Sequence, residues 1–588
     1  MKSFLKIAVL VMAVAGLSAC VQDLNTKPID PNSSTSFNQD RMFTKCYACL
    51  AVIGQSVPGD DSDVEDLDAG TSGFYRMIWY CNDLTSDEAW WIWKDKEQPD
   101  ILETSGWNGE TKSIPGIYTR LNLDVKYCNH YLTYASKETD EDKNRYAEVR
   151  FIRALHYYYL MDMFLYAPLI TTETNEYPHF VPRYKIYDWL VQELKDLIVE
   201  LPAQRVNKYR VGKAAAQLLL ARIYLNADVY NKYNPEWTAG SALEDALATA
   251  TATIEDNKGI HELVTQPQVV DATLTYSAYQ RLFMGDNHRD DVIKESLLQI
   301  YQDGIYSQSY ASTLYLIAGP RNAGLNAWGI ESEWHALRTS PTLIDKFLST
   351  MNISRTTATE EIVLDEFKMP ARLHDDRAIF CSDSMNTGDK FLLSGPMGLG
   401  ENKNFFESWG GMKFTGVYSE YRPSESPRQS TSWPDTDIPF FRLAEAYMIQ
   451  AEALFRKGNI GGALDIINNT IRKRANADPL QDLNEEILLD EWCREFWFEG
   501  RRRIDLIRFG RFFGNESNQY RYHWEGRMNQ KDMPPAVNSP FFVSGTPEYL
   551  NWFPVPSIDK RANPNFKTDV EGDPNNTFAS QGGDGYVY

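Results

Sequence analysis

Residues 442–475 read RLAEAYMIQAEALFRKGNIGGALDIINNTIRKRA. In the first half of this stretch, alanines recur one or two helical turns apart, and Gly458 and Asn459 then supply a turn. The second half brings in Ala463 early and keeps a helical pattern to Ala475. An Ala-rich helix, a Gly-Asn turn and a second helix that opens on alanine are typical of a tetratricopeptide helix hairpin. The stretch therefore predicts a mostly α-helical scaffold built from helical repeats.

Earlier segments carry apolar residues at the same helical spacing. They cover residues 146–164, 184–201, 212–227 and 242–254. Residues of about 265–435 differ, because they are rich in Gly, Ser, Thr, Asn and Tyr and contain few long periodic segments. We therefore predict a helical scaffold that is interrupted by a large loop-rich, irregular segment. Binding residues often lie on loops that a rigid scaffold holds.

The first residues are typical of an export signal. Lys2 and Lys6 give a basic start, and residues 7–17 form an apolar run that is too short to span a bilayer as a finished helix. The run ends in Leu17-Ser18-Ala19-Cys20, which resembles a lipobox, the site where a bacterial signal peptidase cuts before a lipidated cysteine. An ordinary signal peptide with a cysteine near its cleavage site is the alternative.

On the lipobox interpretation, residues 1–19 are a lipoprotein signal peptide and Cys20 carries the lipid. Residues 20–36 then form a lipidated flexible tether. Because no other stretch is apolar enough to span a membrane, we expect the lipid to be the only anchor.

The charge of the chain excludes one class of partner. The 588 residues include 81 acidic and 59 basic side chains, for a formal net charge of −22. Nucleic-acid binding needs a basic stripe that neutralises phosphates, and the sequence has none. We therefore predict no nucleic-acid partner.

Besides Cys20, the chain has six cysteines, an even number that permits disulfides in an exported protein. Cys46 and Cys49 have the C-x-x-C spacing of redox and metal sites, but no second pair at metal spacing accompanies them. They fall in the largely apolar stretch 42–53, where residues i and i+3 share a helix face. We interpret them as buried small hydrophobic residues.

Aromatic residues give the most informative signal. Five of the fifteen tryptophans fall in one short stretch, namely Trp79, Trp90, Trp91, Trp93 and Trp107. Clustered Trp beside Asp, Asn and Lys is typical of sugar recognition, because aromatic faces contact the apolar C–H faces of a sugar. Core packing is the default explanation for most of these rings. Trp334 lies in a polar context, which is less typical of a core residue.

A family resemblance appears in the C-terminal part of the chain. Residues 490–510, DEWCREFWFEGRRRIDLIRFG, resemble the signature helix of the SusD/RagB family, which comprises surface nutrient-binding lipoproteins of Gram-negative bacteria. WPDTDIP at 433–439, FPVPSID at 553–559 and NPNF at 563–566 are similar to the family as well. With the lipobox and the blocks at 141–227, the resemblance extends over nearly the whole chain.

The resemblance implies a single SusD-like domain over residues 37–588. Within it we expect helical repeats at about 40–260 and 438–478 and a loop-rich binding segment at about 265–435. The signature region would then cover residues 485–588.

Two segments are similar to the starch-binding type within this family. The first comprises DAGTSGFYR at 68–76 and NDLTSDEAWWIW at 82–93, and the second runs from Gln302 to Trp334. In starch-binding members, three aromatic residues form a curved platform that fits the helical turn of an α-1,4-glucan.

By this resemblance, the platform here consists of Trp93, Tyr310 and Trp334. Asp68 and Arg76 would add hydrogen bonds at its edge. Lys96 stands where an asparagine is expected, and lysine donates but does not accept hydrogen bonds, so fine specificity can differ.

Asp435 and Asp437 have an Asp-x-Asp spacing, and the resemblance suggests that they share a structural calcium with a segment near residues 286–291. His288 interrupts that acidic segment, whereas calcium prefers oxygen ligands. The alternative is that the two aspartates cap the helix that begins nearby. We expect no other cofactor to be required.

The resemblance implies a non-catalytic lipoprotein of the cell outer membrane that faces the cell surface. Such a protein would bind starch and malto-oligosaccharides and deliver them to a TonB-dependent, SusC-like transporter.

The same role for another glycan is an alternative. A glycoside hydrolase is a weaker one, because it needs two carboxyl groups at a defined separation and no pair stands out among 81. The sequence also lacks a nucleophile elbow, a P-loop and a zinc helix. A peptide-binding repeat scaffold is a third alternative.

Overall fold

The computed structural model describes residues 36–512 and 551–565, apart from 55–61, 66, 92–101, 103–106, 312, 320–328, 333, 335, 351–360, 364–374, 383–389 and 393–408. The predicted signal peptide, Cys20, Trp93 and Lys96 therefore lie outside the described residues. Among the helices in the described ranges, none combines the length and the apolar character that a membrane crossing requires.

Helices make up most of the regular structure. They are α1 (Gln39–Ala51), α2 (Phe74–Trp79), α3 (Ser113–Tyr134), α4 (Asp140–Met163), α5 (Arg183–Glu200), α6 (Lys213–Leu225), α7 (Ala227–Tyr230), α8 (Leu243–Glu255), α9 (Ala278–Arg281), α10 (Leu314–Ala318), α11 (Pro341–Ser349), α12 (Leu443–Arg456), α13 (Ile460–Ile466), α14 (Glu485–Phe496), α15 (Arg502–Arg508) and α16 (Ser557–Ala562). Short 3₁₀ turns cover Ala69–Ser72, Ile293–Glu295 and Pro423–Glu425, and π turns cover Tyr80–Leu84 and Ile467–Arg472.

The strands are short and pair two by two, all antiparallel. They are β1 (Ala89–Trp91), β2 (Tyr166–Pro168), β3 (Phe180–Pro182), β4 (Gln268–Val269), β5 (Thr275–Tyr276), β6 (Ser296–Ile300), β7 (Leu337–Thr339), β8 (Glu361–Val363), β9 (Phe380–Ser382), β10 (Lys390–Leu392), β11 (Trp409–Gly411) and β12 (Ile438–Arg442). The pairs are β1 with β7, β2 with β3, β4 with β5, β6 with β12, β8 with β10 and β9 with β11.

The helical scaffold has the repeat organisation that the sequence predicts. Helix α3 packs on α4, α4 on α5 and α5 on α6, and α8 packs on both α6 and α12. A capping box starts α4, because the Thr139 hydroxyl accepts from the Asp142 amide and the Asp142 carboxylate accepts from the Thr139 amide. Apolar residues on the facing sides of these helices form one large core. The predicted mostly α-helical class is therefore confirmed.

The hairpin at 442–475 forms with one difference from the prediction. Helices α12 and α13 pack together, and Gly458 between them has a φ of 85°, a left-handed conformation that favours glycine. The Asn459 side chain caps α13 by accepting from the Gly462 amide. The difference is the type of helix, because the chain continues after Ile466 as a π-helix over Ile467–Arg472 and so stays helical almost to Ala475, as predicted.

The described part of residues 265–435 is irregular, as the sequence predicts, and contains short strands, turns and brief helices. Its strand β6 pairs with β12, which leads directly into α12. The irregular segment is therefore joined to the scaffold at the start of the hairpin.

The cysteines are buried, as we predicted for Cys46 and Cys49. In the described part of the chain, Cys46, Cys49, Cys81, Cys128 and Cys493 are free thiols with almost no exposed surface. Burial raises the pKa of the Cys81 thiol to about 12, so this group stays protonated and unreactive at neutral pH.

A network of buried ion pairs surrounds the signature block. The Glu495 carboxylate is fully buried and contacts the guanidinium groups of Arg442, Arg474 and Arg377. Glu491, one turn earlier on α14, pairs with Arg377 at 2.8 Å. The charged residues of this block therefore face the interior, where each buried charge is matched by partners of opposite sign.

The same block holds a distant part of the chain through buried carboxylates. Asp83 accepts hydrogen bonds from the backbone amides of Gly500 and Arg501, at 2.9 and 3.1 Å. The Asp87 carboxylate binds the Arg502 guanidinium, and Glu88 accepts from the Phe498 amide. Residues 83–88 lead into β1, so the signature block positions that strand.

We expect acid to weaken the fold through further ion pairs of this network, those of the buried Asp505 carboxylate with Arg501 and Arg508. Burial alone would raise the pKa of Asp505, but Arg501 and Arg508 outweigh it and lower that pKa to about 2. A folded-state pKa below the unfolded value of about 4 stabilises the protein above pH 4, and this stabilisation disappears as pH falls through about 2. Urea unfolding at pH 7, 4 and 2.5 should show a free energy of unfolding that drops steeply below pH 4. A constant value across this range would contradict the role of the network.

Candidate functional site

Two half-buried aromatic rings from the irregular segment lie side by side. The ring centroids of Tyr310 and Trp334 are 6.4 Å apart, and the ring planes differ by 33°. Tyr310 precedes α10, and the Trp334 amide donates to the Ala318 carbonyl at the end of that helix. Both rings pack on the main core with one side. The structure therefore brings together two of the three aromatic residues that the sequence assigned to a platform.

Arg76 lies against this pair. The carbon of its guanidinium group is 5.5 Å from the Trp334 ring centroid, and its Nη1 donates to the Tyr310 carbonyl at 3.2 Å. Its Nε and Nη2 both donate to the Tyr80 hydroxyl, one turn further along. Three of the five guanidinium N–H groups thereby donate to described residues of the protein.

The guanidinium group is further enclosed by aromatic side chains. Tyr80 and Tyr315 lie 5.2 and 5.3 Å from it, and Trp91 lies 5.7 Å away. Such contacts attract a cation to the negative face of each ring, so the position of Arg76 is tightly determined. Sequence reasoning missed Tyr80 and Tyr315, although the spacing of Arg76 and Tyr80 by four residues on a helix was a usable signal.

Asp68 lies at the start of the turn that covers Arg76. It is exposed, and its Oδ1 accepts from the Gly70 amide at 2.9 Å, which caps the 3₁₀ turn. A Cβ atom at Gly70 would stand only 2.2 Å from Nη1 of Arg76. Asp68 and Arg76 are therefore neighbours through Gly70, and this close approach needs a glycine.

The Trp-rich stretch is joined to the segment of Trp334, because its strand β1 pairs with β7. In the register of β1 and β7, Ala89 pairs with Thr339 and Trp91 pairs with Leu337. Strand β7 begins three residues after Trp334. Trp93 and Lys96 lie outside the described residues, so their predicted roles stay predictions. Four other tryptophans of the stretch are buried, which confirms core packing as the explanation for most of them; these are Trp79, Trp90, Trp91 and Trp107.

The chemistry available here is contact and hydrogen bonding. Half-buried ring faces offer apolar surface, and the guanidinium group and the exposed carboxylate beside them offer a donor and an acceptor. A sugar ring presents both apolar C–H faces and hydroxyl groups, so this combination suits it.

The two aspartates of the possible calcium site are buried and bound to protein donors. Asp437 accepts from the Gln302 amide at 2.6 Å and from Gln299 Nε2 at 2.7 Å. Burial raises the pKa of Asp437 to about 8. Asp435 accepts from the Gly304 amide at 2.8 Å.

The segment at 286–291 is similarly bound within the protein. Both oxygens of Asp286 accept from Ser419, and the His288 carbonyl accepts from the Lys208 ammonium group at 2.9 Å. Among the described residues, this region brings no three acidic or histidine ligand atoms within 4.8 Å of one another. The calcium site therefore stays a prediction, since calcium also takes amide and backbone carbonyl oxygens as ligands.

The alternative of helix capping by these aspartates is wrong. Strand β12 separates Asp437 from α12, and the N-cap residue of that helix is Arg442, whose side chain makes no capping hydrogen bond.

A group of metal-ligand type does occur elsewhere in the described chain. Cys49, Asp124 and His156 are buried with their ligand atoms within 4.8 Å of one another. Asp124 is bound by Arg120 at 3.3 Å and by Nε2 of His156 at 3.2 Å, and the Cys49 thiol donates to the Cys46 carbonyl. Each of the three groups therefore has a partner in the protein.

Known proteins resemble this chain in sequence and in fold. The pattern of the SusD family matches residues 382–570. The chain is 33% identical over 579 residues to the starch-binding protein SusD of Bacteroides thetaiotaomicron, a match that covers 96% of this chain and 98% of that protein.

Solved structures share the fold. A SusD homolog from Bacteroides thetaiotaomicron matches with a TM-score of 0.63 at 16% identity, covering 90% of this chain and 96% of that one. A laminarin-binding SusD-like protein matches with a TM-score of 0.57 at 16% identity, covering 89% and 97%. These structural matches concern the fold alone.

Proposed function

The chain belongs to the SusD family, and from this premise we propose that it is a cell-surface lipoprotein that binds α-1,4-glucan and delivers it to a TonB-dependent, SusC-like transporter of the outer membrane. The observation that carries the proposal is the tilted pair Tyr310 and Trp334 with Arg76 held against both. The chain is a binding protein and not an enzyme, as predicted, because its relative over the full length is a starch-binding protein.

Starch is the ligand that this site suits best. Neighbouring rings tilted by 33° form a curved surface, and an α-1,4-glucan winds into a curve, whereas β-1,4 chains are flat. The full-length relative with 33% identity is named for starch binding, which supports the same ligand. Because a laminarin-binding protein shares the fold, specificity has to come from the loops that carry the rings.

Calorimetric titration against a panel of glycans tests the proposal. We expect amylopectin, pullulan and cyclodextrins to bind and dextran, levan and xylan not to bind. A reducing-end assay on the same samples should detect no release of sugar. Binding of a different panel member with no binding of amylopectin would assign the same role to another glycan. Release of reducing ends would restore the glycoside hydrolase alternative.

Replacement of Gly70 by alanine should weaken glucan binding by about fivefold. The added Cβ would collide with Arg76 Nη1, so the guanidinium group has to move from Trp334 and from the Tyr310 carbonyl. Loss of one such hydrogen bond costs about 1 kcal/mol, which corresponds to this factor. The matched control is Gly461→Ala on α13, where the new Cβ has no neighbour within 4 Å. Equal affinities for the two variants would show that the position of Arg76 does not matter for binding.

Replacement of Cys20 by alanine should release the protein from the membrane. Without the thiol there is no group to acylate, and the helices of the described ranges include none that crosses a bilayer. Cell fractionation in a strain without the transporter should find the variant as soluble protein or uncleaved precursor. A variant that still fractionates with the outer membrane would refute the lipid anchor.

A further inference from the structure

A third half-buried aromatic side chain, that of Trp433, contacts Tyr310. The centroid of the Trp433 ring lies 5.1 Å from that of Tyr310, with the planes at 65°. Trp433 is half-buried, like Tyr310 and Trp334, and packs with one side on the same core. Tyr310 therefore has a tryptophan ring as a neighbour in both ring contacts, Trp334 at 6.4 Å and Trp433 at 5.1 Å.

The loop that carries Trp433 is attached to the segment that carries Trp334. The Thr431 carbonyl accepts from the Glu331 amide at 2.6 Å, three residues before Trp334. Within the loop, the Trp433 amide donates to the Ser430 hydroxyl at 3.2 Å. The loop of Trp433 is thus held by one hydrogen bond within the loop and one to a distant segment.

The same loop is attached to the chain that precedes Tyr310. The Gly304 amide donates to the Asp435 carboxylate at 2.8 Å, and a Cβ at Gly304 would stand 2.8 Å from the Trp433 carbonyl. The backbones at Gly304 and Trp433 therefore approach so closely that a side chain at position 304 would collide with the Trp433 carbonyl. Because one loop contacts both neighbouring segments, the three rings form a preorganised unit, and a ligand has little ordering cost to meet on binding.

We propose that Trp433 is a further stacking surface of the glucan site, which binds one additional glucose unit of a longer chain beyond Tyr310. The inference rests on the proposed function and extends the site to a residue outside the Trp93, Tyr310 and Trp334 set. The Trp433 ring meets the Tyr310 ring edge to face at 65°, whereas the Trp334 ring is tilted by 33° against it, so the three rings present differently oriented surfaces. A wound chain, whose units change direction, suits such surfaces better than a flat chain.

The competing explanation is that Trp433 only supports the Tyr310 ring from the side. The two roles differ in their dependence on chain length. A support that is lost disturbs Tyr310 and weakens the binding of every oligosaccharide equally. A stacking surface that is lost weakens only those chains that are long enough to reach it.

The experiment measures affinities of Trp433→Ala for maltotriose and maltoheptaose by calorimetry, beside the wild type. We expect maltoheptaose to bind about tenfold more weakly and maltotriose to keep its affinity within twofold. Equal loss for both lengths, or no loss for either, would overturn the inference. Wild-type protein that binds neither sugar would refute the proposed function, and the extended site with it.

Trp237→Ala provides the matched control for removal of a half-buried tryptophan. Trp237 packs on Tyr187 of the helical scaffold, and its Nε1 donates to Asp228 at 2.9 Å. Both variants should lower the melting temperature by a similar, small amount, because each loses one partly buried ring. Only Trp433→Ala should change the ratio of the two affinities. If Trp237→Ala also changed the ratio of the maltoheptaose and maltotriose affinities, the effect of Trp433→Ala would reflect a general loss of stability. That result would overturn the inference.

Discussion

Replacement of Trp334 by alanine should weaken the binding of amylopectin and cyclodextrins by at least tenfold. Stacking of a ring on an aromatic side chain contributes about 1–3 kcal/mol, by analogy with bases on aromatic residues. Each 1.4 kcal/mol is a factor of ten in the dissociation constant. Trp334 also forms one side of the Arg76 contact, so the guanidinium group loses its position as well. Calorimetric titration gives the dissociation constant directly.

The double variant Tyr310→Ala with Trp334→Ala should abolish measurable binding. The two rings are 6.4 Å apart and share one ligand, so their contributions are coupled and the double variant measures the platform as a unit. Trp237→Ala again serves as the control for stability, and it should bind like the wild type. Unchanged glucan binding together with a sharply lowered melting temperature would show that Tyr310 and Trp334 are core residues and that the site lies elsewhere.

Replacement of Glu495 by glutamine should lower the free energy of unfolding by about 3–5 kcal/mol, the usual cost of removing one partner from a buried ion pair. The carboxylate is fully buried and pairs with Arg442, Arg474 and Arg377, so its loss leaves three guanidinium groups with too little negative charge around them. Glutamine keeps the volume of the side chain, so the effect reports on charge and not on packing. Guanidinium chloride unfolding measures the change.

The matched control is Glu262→Gln. Glu262 pairs with Lys294 at 3.9 Å, and both side chains are about half exposed. An exposed pair contributes about 0–1 kcal/mol, so this variant should unfold like the wild type. Two variants with the same midpoint of unfolding would show that the buried network does not stabilise the fold.

The helical scaffold was predictable because its signals are local. Alanine spacing, Gly458 and Asn459 lie within one short stretch, and each acts on residues three or four positions away. The π-helix that continues α13 over Ile467–Arg472 was not predictable from this spacing, which indicates only that the segment is helical. The alternative that Asp435 and Asp437 cap a helix was wrong because residues 438–442 form strand β12. The partner strand lies about 140 residues earlier, and the sequence near Asp437 contains no signal for that pairing.

The site was only partly predictable. Tyr310 and Trp334 were assigned through family resemblance, and the structure places them together with Arg76. Residue types alone would put a charged Arg76 at the surface, whereas it is 9% exposed and enclosed by aromatic rings. Trp433 was not predictable as a site residue, because its proximity to Tyr310 depends on contacts of one loop with two distant segments.

The contacts of Asp83 and Glu88 determine when this protein can fold. Their partners, the amides of Gly500 and Phe498, lie 417 and 410 residues further along the chain. Until residue 500 has been synthesised, these two carboxylates lack those amides, and β1 lacks this part of its support. Contacts of such separation form late, after the loops between them have closed. Residues 83–88 therefore take up these contacts only after the C-terminal block has been synthesised, so an early part of the chain depends on one of the last.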